Sequence, residues 1–487
     1  MTPMNLLFIL SDEHQREVTG CYGNRIVKTP NMDRLARDGV RFTNAYTPCP
    51  ICVPARSALA TGRWVHQTRS WDNAHPYHGE IPSWHHRLVV AGHHVASIGK
   101  LHFRDSADDN GFSEEILPLH VLNGIGDLLG LIREPVPAAR GNMPSLAKDT
   151  GPGDSSYNRY DTEIAEAACR WLEARAAEHQ PDRPWVLFVS FVRPHFPLIA
   201  PEEFWSLYRP EDMPWPRLYR RGSKPDHPVL RALRDCMNYD DFFDEAAVRR
   251  AIASYYALVS FLDHKIGEVL ATLEQTGLAA STRILYTSDH GDNLGARGLW
   301  GKSVMYEEST AVPLVLSGPD LPRGRVIGAP VSLVDMYRTV ADAVGLRLPP
   351  EDDSLPSRSI WLAIEDEIAF ADRAVLSEYH AAAAITGTFM IRHGRWKYIH
   401  HVGYRPELYD LLEDPGETGD LAADPVYRDV LAECEGHLRS TCDPDAVNRQ
   451  AFQDQAKKIA EHGGVEAIRK RGDFGYTPAP NETPGFA

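Results

Sequence analysis

The stretch NLLFILSD, residues Asn5–Asp12, is an unbroken apolar run that ends in polar residues. Three similar runs follow along the chain, each ending in a polar cluster: residues 94–98, 185–192 and 283–287. Apolar runs without alternation are typical of strands that are covered on both faces. Helical patterns separate these runs, at residues 31–38, 162–175 and 251–267. The alternation predicts an α/β fold in which a large, mostly parallel sheet lies between helices.

The polar residues after these runs indicate where a site would form, because ligands of α/β sheets bind at the carboxyl ends of the strands. Asp12-Glu13 and Asp289-His290 offer oxygen and nitrogen ligands for a divalent cation. Basic side chains beside them would stabilise an oxyanion. We therefore expect one crevice to collect these residues: Asp12, Arg56, Lys100, His102, His195, Asp289, His290 and Lys302.

Length and charge limit the classes of function. A chain of 487 residues is expected to hold one large domain and a smaller one. The net charge of -16 disfavours nucleic acid or an acidic membrane surface as a partner, but it leaves room for an anionic substrate at a local cluster of cations. The run at residues 6–10 is too short for the core of an export signal, and no window reaches the roughly 18 apolar residues of a membrane span. We therefore expect a cytoplasmic protein.

The pattern changes near residue 370, which divides the chain into a catalytic domain at 1–370 and a subdomain at 371–445. Short strands at 374–379, 388–392 and 395–400, with Gly394 at a turn, predict a small antiparallel sheet. The remaining segment, 446–487, is predicted to be an extended tail. Such a tail is either loose or docked on a neighbouring subunit, and we expect a homodimer or homotetramer.

The stretch CPICVPAR, Cys49 to Arg56, contains a C-x-x-C pair. Such a pair is found in redox proteins and in zinc sites, but a zinc site needs a second ligand pair, and this chain has no second C-x-x-C. Seven cysteines, an odd number in a long chain, also argue against a disulfide framework. The alternative is that one of the two cysteines serves a different chemistry.

The continuation of this stretch supports that alternative. Cys52, Pro54 and Arg56, followed by Thr61-Gly62, resemble the maturation signature of the type I, formylglycine-dependent sulfatases of the alkaline phosphatase superfamily. Further stretches resemble the same family: NLLFILSDEHQ, TPNMDRLARDGVRFTNAY, GKLHF, RPHFP, YTSDHGDNLGARGLWGK and ELYDLLEDPGETGDLA. The resemblance covers about residues 4 to 425 and is strongest for the branch of choline-sulfatases, arylsulfatases and phosphonate monoester hydrolases. The choline-sulfatases and the phosphonate monoester hydrolases share the Asp-His pair. It implies an alkaline-phosphatase-like sandwich.

The resemblance also implies a mechanism. A formylglycine-generating maturation enzyme would oxidise Cys52 to formylglycine (3-oxoalanine), whose hydrate has two hydroxyl groups. One hydroxyl would attack sulfur, and the second would then lose a proton and expel sulfate, which divides the reaction into two easier steps. One divalent metal ion, Ca²⁺ or Mn²⁺, would be held by Asp12, Cys52, Asp289 and His290. A histidine ligand shifts the preference toward manganese, since imidazole suits softer ions.

Roles for the remaining positions follow from the same resemblance. Arg56 would orient the formylglycine, and His102 would be the base for the elimination of sulfate. Lys100, His195 and Lys302 would hold sulfate oxygens, with His195 or Lys302 protonating the leaving oxygen. Asn73 and Glu378 match substrate-binding positions. The chain departs from many sulfatases by having Glu13 after Asp12 and His290 after Asp289, and its C-terminal GDFGYTP lacks the acid that choline-sulfatases place after the aromatic residue.

The predicted activity is hydrolysis of a small sulfate monoester to inorganic sulfate and an alcohol or phenol. Hydrolysis of a phosphonate monoester or phosphodiester is the first alternative, because the same metal and cations suit both tetrahedral oxyanions. A binding or scaffold protein that has lost its chemistry is the second. It predicts gaps among the key residues, and the sequence has none at those positions.

Overall fold

A computed structural model describes residues 2–141, 143–178, 183–220, 222–483 and 485–486. Its strands, in chain order, are β1 (Asn5–Asp12), β2 (Val40–Phe42), β3 (Ala45–Tyr46), β4 (Val95–Lys100), β5 (Glu114–Leu119), β6 (Thr150–Pro152), β7 (Val186–Pro194), β8 (Leu198–Ala200), β9 (Thr282–Ser288), β10 (Leu314–Ser317), β11 (Arg325–Ile327), β12 (Val331–Ser332), β13 (Val375–Tyr379), β14 (Thr388–His393), β15 (Trp396–His401) and β16 (Glu407–Asp410).

The α-helices of the same residues are α1 (Pro30–Arg37), α2 (Cys52–Thr61), α3 (Val65–Thr68), α4 (Trp84–Val90), α5 (Met143–Lys148), α6 (Ser156–Ala177), α7 (Glu202–Trp205), α8 (Pro228–Met237), α9 (Glu245–Gln275), α10 (Glu307–Thr310), α11 (Met336–Ala343), α12 (Ile360–Glu365), α13 (Ile368–Ala371), α14 (Arg428–Thr441), α15 (Pro444–Glu461) and α16 (Val465–Arg471).

The main sheet has eight strands in the order β11-β2-β10-β9-β1-β7-β4-β5. The central pairs β9-β1, β1-β7, β7-β4 and β4-β5 are all parallel, whereas β10 runs antiparallel to both of its neighbours. The predicted large, mostly parallel sheet is therefore confirmed.

Strand β1 shows why the sheet lies between two helical layers. Every residue of β1 is buried. Leu6 and Phe8 pack in a core with residues of α4, α11 and α12, whereas Leu7 and Ile9 pack in another core with residues of α1, α6 and α9. Successive side chains of a strand point to opposite faces of the sheet, so an unbroken apolar run gives the strand an apolar surface on both faces, and helices pack on each.

The predicted small antiparallel sheet is also confirmed, and β16 adds a fourth strand to the three expected. Helix α14 packs on this sheet, and Cys434 and Leu438 lie in their shared core. The proposed boundaries at residues 370 and 445 stay predictions.

The expectation of an extended tail over 446–487 is wrong for residues 446–471, which are mostly helical. Residues 444–461 form α15 and residues 465–471 form α16. Helix α15 starts with Asp443 as its cap, whose side chain accepts hydrogen bonds from the N–H groups of Asp445 and Ala446. Only after α16 does the chain become irregular, and there it packs against its own chain, as described below. No helix among the described residues is both long and apolar enough to span a bilayer.

Candidate active site

The carboxyl ends of adjacent strands form one edge of the site. Asp12 ends β1 and Lys100 ends β4, while His195 follows β7 and Asp289-His290 follow β9. These strands are neighbours in the order β9-β1-β7-β4, so the residues after them are brought together. The convergence inferred from the sequence is thus present in the structure.

Local irregularities in two of these strands change the direction in which the polar residues at the strand ends point. The pairing of β1 shifts register between Leu10 and Asp12, and that of β4 shifts between Ile98 and Lys100. Gly99, at the second shift, has a φ of 98°, and a Cβ atom there would lie 2.2 Å from the carbonyl oxygen of Ser190. Only glycine fits this close approach, and the resulting bulge redirects Lys100.

Cys52 is the first residue of α2 and is buried beside the acidic residues. Its Sγ lies 3.2 Å from His290 Nε2 and 3.7 Å from Asp12 Oδ1. One ligand atom from each of Asp12, Cys52, Asp289 and His290 lies within 4.8 Å of the others. Burial, followed by the charge of Asp12, raises the pKa of the Cys52 thiol to about 11, so the unmodified residue is a protonated thiol at neutral pH and a poor nucleophile.

Cys49 differs from Cys52 in its surroundings. The two residues do not form a disulfide, and Cys49 is fully buried within an apolar core. Burial raises its pKa well above the usual range. Among the described residues, no ligand group for a metal combines the two cysteines. The structure therefore offers no support for a redox or zinc pair.

Arg56 ties the two aspartates together. Its Nε donates to Asp289 Oδ2 at 2.8 Å and its Nη2 to Asp12 Oδ2 at 3.1 Å, while Nη1 donates to the carbonyl of Lys100 and to Ser190 Oγ. Lys100 Nζ also lies 2.5 Å from Asp12 Oδ2. Burial alone would raise the pKa of Asp12, but the charges of Lys100 and nearby basic groups hold it well below its usual range. Asp12 is therefore an anionic ligand.

Glu13, which the sequence offers as a cation ligand beside Asp12, faces the basic side of the cleft. Lys302 Nζ donates to Glu13 Oε2 at 2.7 Å, and His195 Nε2 lies 3.4 Å from the same oxygen. The other oxygen, Oε1, is buried and has no protein partner among the described residues. Burial raises the pKa of Glu13 well above its usual range despite the charge of Lys302. This unpartnered oxygen makes Glu13 a further candidate ligand for a cation.

The two histidines of the cleft are both neutral bases. Burial, reinforced by the charge of Lys302, lowers the pKa of His195 well below its usual range, and burial and Lys100 do the same for His102. His195 Nδ1 lies 2.7 Å from the carbonyl of Phe196, to which it donates, so its proton is on Nδ1. His102 has Nε2 at 2.9 Å from Thr477 Oγ1, while its buried Nδ1 has no hydrogen-bond partner in the part of the chain that the structure describes.

The two predicted substrate contacts lie in different places. Asn73 lines the cleft, and its Oδ1 accepts a hydrogen bond from the N–H of Val53 in the first turn of α2. Glu378 does not line the cleft. Its buried carboxylate pairs instead with His66 Nδ1 at 2.9 Å and His380 Nε2 at 3.2 Å.

Sequence reasoning missed much of the cleft wall. Besides Tyr157, the missed part of the wall includes the ion pair of Arg140 with Asp127, and the segment 473–477 from the C-terminal end of the chain. The family resemblance places GDFGYTP, residues 472–478, on the substrate side. It does not predict that this stretch docks on the cleft of its own chain.

Comparisons with known proteins agree with this geometry. A model of the sulfatase family matches residues 4–346, and one described as N-sulphoglucosamine sulphohydrolase, C-terminal, matches residues 295–443. Choline-sulfatase of Rhizobium meliloti (strain 1021) is 33% identical over 98% of this chain and 93% of its own length. Arylsulfatase K of Danio rerio is 29% identical over 94% of this chain and 87% of its own.

A solved structure extends the likeness to the fold. The phosphonate monoester hydrolase of Agrobacterium radiobacter matches with a TM-score of 0.71 and 25% identity, covering 92% of this chain and 96% of that one. The expected alkaline-phosphatase-like architecture is confirmed. With a family model that matches most of the chain and a Cys52 motif set among the expected ligands, the protein belongs to the sulfatase family.

Proposed function

We propose that this protein hydrolyses a small sulfate monoester, releasing inorganic sulfate and an alcohol or phenol, with Cys52 converted to formylglycine. The observation that carries the proposal is the position of Cys52 at the start of α2, its Sγ 3.2 Å from His290 Nε2 in a buried group of ligand atoms. Since the unmodified side chain is held as a protonated thiol, conversion to a hydrated aldehyde would supply the nucleophile that the site lacks.

One divalent metal ion fits the donor set. Asp12, Asp289, His290 and the group derived from Cys52 would hold it, and the unpartnered Glu13 Oε1 is available as a further oxygen ligand. When bound, the cation would act as a Lewis acid that favours ionisation of the nucleophilic hydroxyl. Carboxylates suit Ca²⁺ and Mn²⁺ alike, and the imidazole of His290 favours Mn²⁺.

The protonation states of the cleft assign its acid and base. Burial alone would lower the pKa of Lys302, but the acidic groups around it, Glu13 and Asp12 among them, raise that pKa above its usual range, so Lys302 remains an ammonium. His195 is neutral, and its one proton is donated to the carbonyl of Phe196. Of the two candidates for protonating the leaving oxygen, Lys302 therefore has a proton to offer. Neutral His102 can accept the proton that is lost when sulfate is eliminated.

The proposal is tested by the mass of the peptide that contains Cys52 and by turnover of 4-nitrophenyl sulfate. The protein should be produced with a formylglycine-generating maturation enzyme, the partner that the proposal requires. The expected result is a peptide lighter than the cysteine form, turnover that a chelator abolishes, and recovery with Mn²⁺ or Ca²⁺. An unmodified peptide from such a host, without turnover, would refute the proposal.

Hydrolysis of phosphonate monoesters is the second candidate. The likeness to a phosphonate monoester hydrolase over 92% of the chain favours it. Phosphonate monoesters and sulfate monoesters each present a tetrahedral oxyanion to the same cations. Rates on 4-nitrophenyl sulfate and 4-nitrophenyl phenylphosphonate, measured on one preparation, distinguish the two candidate functions. A rate that is much higher on the phosphonate would make phosphonate monoester hydrolysis the preferred function.

A further inference from the structure

The C-terminal end of the chain reaches the candidate base of the site. Thr477 Oγ1 lies 2.9 Å from His102 Nε2, although 375 positions separate the two residues in the sequence. Both residues line the cleft that also contains Cys52. A hydrogen bond between a surface segment and a buried cleft histidine needs a segment that is itself held in place.

The segment 473–477 has such anchors. Tyr157 OH donates a hydrogen bond to the backbone carbonyl of Thr477. The Tyr476 ring meets the Tyr157 ring edge to face at 5.3 Å. At the other end, Asp473 Oδ1 lies 3.4 Å from Arg140 Nη1. The Thr477 hydroxyl is thus presented to His102 from a fixed backbone.

His102 needs an orienting partner. It is 5% exposed, and its φ of 57° is unusual for a residue other than glycine. Its Nδ1 has no hydrogen-bond partner among the described residues. Among the same residues, Thr477 Oγ1 is therefore the only hydrogen-bonding partner of the His102 ring. A neutral imidazole carries one proton, and the hydrogen bond at one nitrogen decides which nitrogen keeps its lone pair.

We propose that Thr477 is a positioning residue for His102: its hydroxyl accepts the Nε2–H and so leaves the Nδ1 lone pair free to accept a proton within the cleft. This inference rests on the proposed function, in which His102 is the base for elimination of sulfate. Loss of the hydroxyl removes the acceptor for Nε2–H, which allows the other tautomer and other ring orientations. The elimination then becomes slow, while attack on the substrate does not depend on Thr477.

Thr477→Val tests the inference with little change of shape, and Thr477→Ser restores the hydroxyl. Thr483→Val serves as the matched control, because Thr483 is exposed in the same terminal segment. All three are compared with the wild type on 4-nitrophenyl sulfate, in enzyme with verified formylglycine. For Thr477→Val we expect kcat to fall about 10- to 100-fold, since a general base contributes at least that much. Thr477→Ser should recover kcat to within about threefold, and Thr483→Val should match the wild type.

Pre-steady-state kinetics add a readout that a merely structural role would not change. Because the bond to the leaving group breaks before sulfate departs, Thr477→Val should release a burst of 4-nitrophenol equal to the enzyme concentration before a slow steady state. Unchanged kcat in Thr477→Val, equal losses in Thr477→Ser, or a change in KM alone would overturn the inference. A wild type that carries formylglycine but hydrolyses neither ester would instead overturn the proposed function.

Discussion

Two clusters of buried charge occur in this protein, and only one of them is placed for catalysis. The site cluster consists of Asp12, Arg56, Lys100, Asp289 and Lys302. The seam cluster joins the large sheet's domain to the antiparallel sheet and consists of Arg297, Glu307, Lys397, Glu407 and Glu417. All ten side chains are nearly inaccessible to solvent.

The clusters differ in what their charged groups face. In the seam cluster Lys397 Nζ lies 2.9 Å from Glu307 Oε1 and 2.8 Å from Glu417 Oε1, and none of the five residues lines the cleft. In the site cluster Lys100 and Lys302 line the cleft, beside a glutamate oxygen and a histidine nitrogen that have no hydrogen-bond partner among the described residues. Burial of charge therefore does not identify a site by itself. Buried polar atoms without a partner do not identify one either, because Arg297 Nε in the seam cluster also lacks a partner among the described residues. What distinguishes the site cluster is that its lysines line a cavity.

The largest expected effect concerns the nucleophile. Cys52→Ala should lower kcat/KM for 4-nitrophenyl sulfate by at least about 1000-fold, because it removes the group that forms the covalent bond. Steady-state kinetics measure this loss, and circular dichroism verifies that the variant is folded. Cys49→Ser is the matched control and should stay within about threefold of the wild type, since Cys49 lies in an apolar core. Equal losses in both variants would return the C-x-x-C pair to consideration.

The difference between the two cysteines shows how much of the site the sequence alone can predict. The spacing alone left Cys49 and Cys52 equivalent, and only the resemblance to a family separated them. The strand-end residues Asp12, Lys100 and Asp289 were predictable from physical pattern, because parallel strands align their carboxyl ends. The part of the cleft wall that comes from the C-terminal end of the chain was not, since Thr477 meets His102 across 375 positions without any local signal.

One wrongly predicted segment and one pairing that the sequence did not indicate have a physical explanation. Helix α15 was predicted as extended tail because the prediction begins the Gly- and Pro-rich pattern of residues 463–487 too early; the helix itself has Val447, Ala451 and Ile459 at helical spacing. Glu378 matched a substrate position by resemblance, but its carboxylate pairs with His66 and His380. Pairings of this kind depend on tertiary contacts that no local pattern encodes.

The next largest effect concerns stability at the seam. Lys397→Met should leave Glu307 and Glu417 without their shared cation, which we expect to cost about 3–5 kcal/mol in free energy of unfolding. Turnover per folded molecule should remain within about twofold of the wild type, because Lys397 does not line the cleft. Chemical denaturation and active-site titration measure the two quantities. Lys457→Met, at a lysine whose side chain is 79% exposed, is the control and should change neither. A selective loss of turnover in Lys397→Met would mean that the clusters are coupled.

A smaller effect separates the two candidate acids within the site cluster. Lys302→Met should lower kcat about 100-fold on phenyl sulfate and less on 4-nitrophenyl sulfate, because a better leaving group needs less protonation. His195→Gln, which removes a residue without a free proton to donate, should lower both rates by a similar factor. A series of aryl sulfates with leaving groups of different pKa measures this dependence. If His195→Gln shows the steeper dependence, the roles are reversed.

The smallest effect is the acid response of the seam. Although burial acts in the opposite direction, hydrogen bonds from His401, Tyr306 and Tyr409 lower the pKa of Glu407 to about 2. An unfolded glutamate titrates near 4.3, so the folded protein gains stability that is present above that pH and is lost as pH falls toward about 2. Between about pH 6 and pH 4 the expected loss is roughly 0.6 kcal/mol, and Glu407→Gln should remove this part of the slope.

Denaturation curves at several pH values measure this slope, and Glu413→Gln is the control because Glu413 is 75% exposed at its side chain. The comparison matters because the seam and the site respond to acid for different reasons. Protonation of Glu407 weakens folding, whereas protonation of His102 would remove a base without unfolding the chain. In the wild type, activity and stability should both fall in acid, whereas in Glu407→Gln activity should fall without this part of the stability loss. That result would assign the loss of activity to the cleft and the loss of stability to the seam cluster. Identical acid slopes of stability in Glu407→Gln and the wild type would show that Glu407 does not contribute to the acid response of the seam.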